Sequence, residues 1–95
     1  MDQVEFNARF GANLARARQA AGLSQEMVSV RASLHRTEIG LLERGERTPR
    51  IDTAVKLAGA LGVQPADLLK GITWSPGSST LGQFTVSVPK QTEEH

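Results

Sequence analysis

Arg36, Thr37, Gly40, Leu41 and Arg44 lie within one nine-residue stretch. At about 100° per residue they share one arc of a helix, while His35, Ile39 and Leu42 share the other. The residue types on the first arc suit the edges of nucleic-acid bases. An arginine forks to the two acceptors of guanine, a threonine offers a hydroxyl and a methyl, and a leucine can meet the methyl of thymine. Gly40 removes side-chain bulk from the centre of that arc, where a groove wall could come close. A solvated helix face carries similar charge, so alone the arc favours DNA only weakly. Two features weigh against simple solvation: a glycine inside a helix costs roughly 1 kcal/mol relative to alanine, and Leu41 is an apolar residue left outside.

Other chemistries find little support. His35 and Glu38 stand three apart, as metal ligands can, but no third ligand is in sight, and no metal is expected. The chain has no cysteine and only two histidines, one of them terminal. There is no nucleophile motif, and the glycines of "GITWSPGSSTLG" lack the lysine and following helix of a phosphate cradle. Neither an enzyme nor a cofactor is expected. The absence of cysteine fits a reducing, cytoplasmic setting and rules out a disulfide scaffold. No run approaches the roughly 18 apolar residues of a membrane span, and no basic-then-apolar leader opens the chain.

The elements that must position the arc follow from the punctuation. A chain of 95 residues has room for one small domain and an appendage. Net charge is only +1, yet five arginines stand against three glutamates between Arg31 and Arg50. This is a mild basic bias that matters only where geometry focuses it. Phe6, Phe10, Leu14, Ala17 and Ala21 recur at helical steps until Gly22. Ser24 caps a second helix that runs to about Ala32, and Ser33-Leu34 makes the corner. A third helix spans about His35 to Arg44 and ends at Gly45. Pro49 sets up a fourth with an apolar stripe of Ile51, Ala54, Val55, Ala58 and Leu61, stopped by Gly62. Gln64-Pro65 opens a short fifth helix through Leu69.

Composition changes after Lys70. Phe84, Val86 and Val88 alternate with polar residues, and Ile72-Thr73-Trp74 is a second β-prone stretch, so a hairpin or strand extension occupies part of residues 71–95, with a flexible tail at the end. A lone hairpin is marginal in water. It must lean on the fifth helix of its own domain or on the same segment of a second chain. In the latter case Trp74, Phe84, Val86 and Val88 form a dimer contact.

"GLSQEMVSVRASLHRTEIGLLERGERTPR" resembles the phage-repressor type of helix-turn-helix domain, the Xre/Cro family. The matching features are Leu14 and Arg18 before Gly22-Leu23-Ser24-Gln25, Ile39, the Glu43-x-Gly45 ending, Pro49, and "AGALGV" leading to Asp67-Leu68-Leu69. Ser33 stands where the family prefers glycine, and Gly40 is uncommon at its position. The resemblance implies an all-α, five-helix lambda-repressor-like domain over residues 1–70, with the β extension attached. It implies that the third helix enters the major groove, with Arg36 and Thr37 on base edges and Leu41 next. Gln25 would donate to a phosphate, His35 could touch one, and Arg44, Arg47 and Arg50 would be phosphate or minor-groove contacts. Arg18, on the buried line Phe10–Leu14–Arg18, needs a carboxylate. Glu43 on the inner border of the third helix is the natural one, and the family suggests the same pair. The expected function is a sequence-specific transcriptional regulator, a repressor more than an activator, acting as a homodimer on a palindromic operator in double-stranded DNA. The alternative is an antitoxin or adaptor whose extension grips a partner protein.

Overall fold

The computed structural model describes residues 2–77 and 82–87. Four α-helices come first: α1 (Asp2–Ala20), α2 (Gln25–Ala32), α3 (Arg36–Glu43) and α4 (Ile51–Leu61). A 3-10 segment (Pro65–Leu69) and two antiparallel strands, β1 (Ile72–Ser75) and β2 (Gln83–Val86), complete the described fold. The expected fifth α-helix is therefore a 3-10 segment. Its five residues are closed by reciprocal bonds between Gln64 and Asp67, with Pro65 at the first position. So short a segment settles into the tighter winding.

The termini form where local chemistry requires. The Ser24 hydroxyl accepts the Met27 N–H at 3.0 Å and starts α2. Gly22, Gly45 and Gly62 end their helices at positive φ. Ser33 does the same at φ 57°, the one non-glycine among the described residues to do so. An L-residue there is strained by roughly 1–2 kcal/mol. After the greater chain entropy of glycine is subtracted, Ser33→Gly should stabilise the domain by about 0.5–1 kcal/mol. A shift in the urea midpoint at unchanged m-value checks this, and a lower midpoint would deny the strain.

The core comprises Phe10, Leu14, Val28, Ala32, Ile39, Leu42, Leu57, Ala58, Ala60, Leu61 and Leu68, drawn from all four helices and the 3-10 segment. The stripe of α4 is narrower than its spacing predicts. Leu57, Ala58 and Leu61 are buried, but Ile51 and Val55 are 86% and 52% exposed. Ile51 stands in the first turn, beyond the core, and Val55 is turned about 100° from Ala54. Polar groups on the middle turns of α1 tie it to the end of the 3-10 segment. Asn13 donates to the carbonyls of Leu68 (2.9 Å) and Lys70 (3.0 Å), and Arg9 is buried beside them.

The hairpin leans on α1, not on the Pro65–Leu69 segment. Trp74 pairs with Phe84 and Ile72 with Val86 across the strands. The Phe84 ring sits 5.0 Å from Phe6 of α1 and 5.1 Å from Trp74. Phe84 and Val86 are thereby half-buried against their own domain, while Trp74 is 55% exposed. Val88, the remaining residue expected at a dimer contact, lies outside the described residues. Among those described, no helix is long and apolar enough to cross a membrane.

Candidate nucleic-acid interface

The site grows out of the way α3 is seated. Glycine on α1 allows a close backbone approach: a Cβ at Gly11 would collide with the Leu42 carbonyl oxygen and lie 2.6 Å from that of Glu43. One turn earlier on α1, Ala8 meets Gly45, where a Cβ would stand 3.0 Å from the Ala8 Cα. The C-terminal end of α3 thus rests directly on the α1 backbone.

A polar brace holds the next layer. Arg18 donates from Nε to Glu43 Oε2 at 2.6 Å and from Nη2 to Oε1 at 3.1 Å, with its Nη1 donating to the Leu23 carbonyl at 2.9 Å. The side chains are 16% and 8% exposed. The hydrogen bond to Glu43 raises the Arg18 guanidinium above its ordinary pKa, burial lowers it, and the Glu43 charge raises it again. The expected pair is thus present. Gln25 joins it, donating from Nε2 to Glu43 Oε1 at 3.0 Å. Its amide couples the start of α2 to the end of α3, and one N–H remains for an outside acceptor.

Arg36 and Thr37 stand exposed in the first turn of α3, and Arg36 makes no ion pair among the described residues. His35 is the N-terminal cap residue of α3, exposed, and its side chain makes no capping bond. Leu41 is half-buried. Gly40, which helical spacing puts on the open arc, is buried. The cover comes from two side chains, one a turn further along and one from α2: a Cβ there would lie 3.1 Å from Arg44 Nη1 and 3.8 Å from Gln25 Oε1.

The three other arginines expected to contact DNA each hold a carboxylate. Arg44 pairs with Glu46 at 3.2 Å, Arg47 with Glu38 at 2.7 Å and Arg50 with Asp52 at 3.1 Å. The Arg47 contact brings the loop after α3 back beside the first turn of that helix. Arg31 is engaged elsewhere, donating to the Ala60 carbonyl of α4 at 2.9 Å. A cluster of Gln3, Asn7 and Thr48 ties the same loop to the start of α1, with Thr48 donating to Asn7 at 3.0 Å. Neither the acidic partners nor this cluster has a sequence signal, since Thr48 and Asn7 are 41 positions apart. Among the described residues, no group of three metal-ligating side chains is found.

The arrangement can present a fork and a hydroxyl at the exposed start of a helix, flanked by cations held in exposed ion pairs. Comparison with known proteins points the same way. Residues 14–68 match the helix-turn-helix family model HTH_3. A protein of Sinorhizobium fredii named as an HTH-type transcriptional regulator, y4dJ, is 42% identical over 66 residues, covering 70% of this chain and 86% of that protein. The control protein C.BamHI of Bacillus amyloliquefaciens is 47% identical over 49 residues, which span 52% of this chain and 60% of that protein. Among solved structures, the restriction-modification controller protein C.AhdI of Aeromonas hydrophila superposes with a TM-score of 0.63 at 39% identity, covering 64% of this chain and 92% of that one.

Proposed function

The chain belongs to the helix-turn-helix family HTH_3, and from that premise we propose that it is a DNA-binding transcriptional regulator that reads its operator with Arg36 and Thr37. The observation that carries this reading is the exposed Arg36, unpaired among the described residues, at the first turn of a helix that Gly11, Arg18 and Glu43 hold from behind. The dipole at that end and the uncapped N–H groups also favour an approaching phosphate. Arg47 and Arg50 supply backbone contacts, exchanging a carboxylate for a phosphate, and Gln25 offers its remaining N–H to another.

One such helix covers few base pairs. A twofold dimer with half-sites one turn apart, roughly 34 Å, doubles the contacts on a palindrome. Of the apolar side chains left in water, Ile51, Val55 and Leu69 near α4 and Trp74 on the hairpin offer a second copy one surface, and Met27 and Val30 on α2 offer another. Occupying an operator that overlaps a promoter makes such a protein a repressor by exclusion. The adaptor alternative has less apolar surface to draw on at β2, where Phe84 rests on Phe6 of α1.

Selection of bound sites from random DNA, followed by titration of variants, tests the reading. Arg36→Ala should weaken the selected operator by about 1–3 kcal/mol and relax one base position. Arg47→Ala should weaken all sequences alike and reduce the salt slope by about one. Sedimentation should find two protomers on the palindrome. An Arg36→Ala protein that bound as tightly as the wild type would remove α3 from the groove.

A further inference from the structure

Arg44 closes α3, and its side chain leans back over the preceding turn, the direction helical side chains favour. Its Nη1 stands where a Cβ on Gly40 would be only 3.1 Å away, and its Cζ would be 3.9 Å from the same point. The guanidinium therefore lies on bare backbone. Gln25 Oε1 stands beside the same position, at 3.8 Å from that Cβ. Glu46 holds the outer edge, accepting from Nε at 3.2 Å and from Nη2 at 3.4 Å. The side chain is still 58% exposed, so the group is held yet open to a ligand.

The helical angle places it tellingly. Positions 36, 40 and 44 advance by about 40° every four residues, so a guanidinium lying over Gly40 falls on the arc that carries Arg36 and Thr37. It sits near the middle of the contact face, not on its rim. A rim arginine meets phosphate; one lying flat at the centre meets base edges.

Resting on the reading that α3 enters the major groove, we infer that Arg44 is a base-reading residue with a preference for guanine, and that Gly40 is its positioning residue. Arginine's planar fork presents two donors to guanine O6 and N7, a match no other base offers in the groove. The glycine acts by absence. A methyl there displaces the guanidinium slightly, and a larger side chain lifts it off the helix toward the rim.

The test uses the full chain in four forms: wild type, Gly40→Ala, Arg44→Ala and the double variant. Alanine is the better helix former, so Gly40→Ala should melt at or above the wild-type temperature. Each form is titrated against the operator selected from random DNA and against every single-base change in its half-site. Arg44→Ala should lose roughly 5- to 150-fold at the operator and lose discrimination at one G·C pair. Gly40→Ala should lose about fivefold, at that same pair, since the arginine tip need move only slightly. The double variant should bind no worse than Arg44→Ala. Uniform weakening of every sequence by Arg44→Ala would make Arg44 a phosphate contact and overturn the inference. So would a further loss on adding Gly40→Ala to Arg44→Ala, because the glycine would then act on its own. A wild type that selected no sequence at all would instead overturn the groove reading on which this rests, and the inference with it.

Discussion

Glu43→Ala should cost the domain about 3–5 kcal/mol, because it strands the Arg18 guanidinium in a site from which water is largely excluded. Three bonds converge on the Glu43 carboxylate, two from Arg18 and one from Gln25. Removing it leaves a cation with one backbone carbonyl and a half-buried amide without an acceptor. For a domain of this size that is a large share of the total stability. The paired change Arg18→Met with Glu43→Leu should recover much of the loss, since hydrophobic replacement of a buried ion pair is often neutral or better. Denaturant midpoints for wild type, Arg18→Met, Glu43→Leu and the paired change give the coupling directly. Equal midpoints for Glu43→Ala and wild type would show that the pair contributes nothing.

Gly11→Ala should destabilise the protein by about 1–3 kcal/mol despite the higher helix propensity of alanine. In an open helix the same change stabilises. Here the new methyl would meet two backbone oxygens of α3, and backbone cannot swing aside as a side chain can. The helix must slide off its seat. Operator affinity measured well below the melting temperature should therefore fall as well, which an unfolded fraction cannot explain. A cavity at Leu57, in α4 and away from the α1–α3 contact, supplies the control: Leu57→Ala should lower stability by about 2–5 kcal/mol and leave the affinity of the folded protein unchanged. If Gly11→Ala melted higher than wild type, the close approach of α1 and α3 would be disproved.

Much of this was legible in the residues. Gly22, Ser24, Gly45 and Gly62 mark helix ends because capping is local chemistry, and local chemistry travels with sequence. The Arg18–Glu43 pair was legible for a different reason: an arginine on a stripe of Phe10 and Leu14 announces its need for a carboxylate. The misses share a cause too. A helical wheel assigns an angle to Gly40 but knows nothing of the arginine that folds over it. Ile51 and Val55 fit the period of α4, yet burial depends on how far the core extends, which no period records. The partners of Asn13 are backbone carbonyls of Leu68 and Lys70, some 55 positions away, and carbonyls carry no residue identity. Pro65–Leu69 reads as helical, and only its brevity makes it a 3-10 segment.

The carboxylates on the arginines have a consequence for time as well as affinity. Glu46, Glu38 and Asp52 lie among the cations proposed to face DNA. Every duplex, whatever its sequence, confronts them with phosphates of the same sign. Exposed ion pairs of this kind hold weakly and give way to phosphate, but the displaced carboxylates stay nearby and repel. Counterion release, the general attraction of protein to DNA, is correspondingly muted. A stretch of random sequence then lacks the base contacts that would offset the repulsion, and the protein should leave it quickly. With a net charge of only +1, the molecule should scan by brief touches instead of long slides, and the operator should stand out by how long it is occupied.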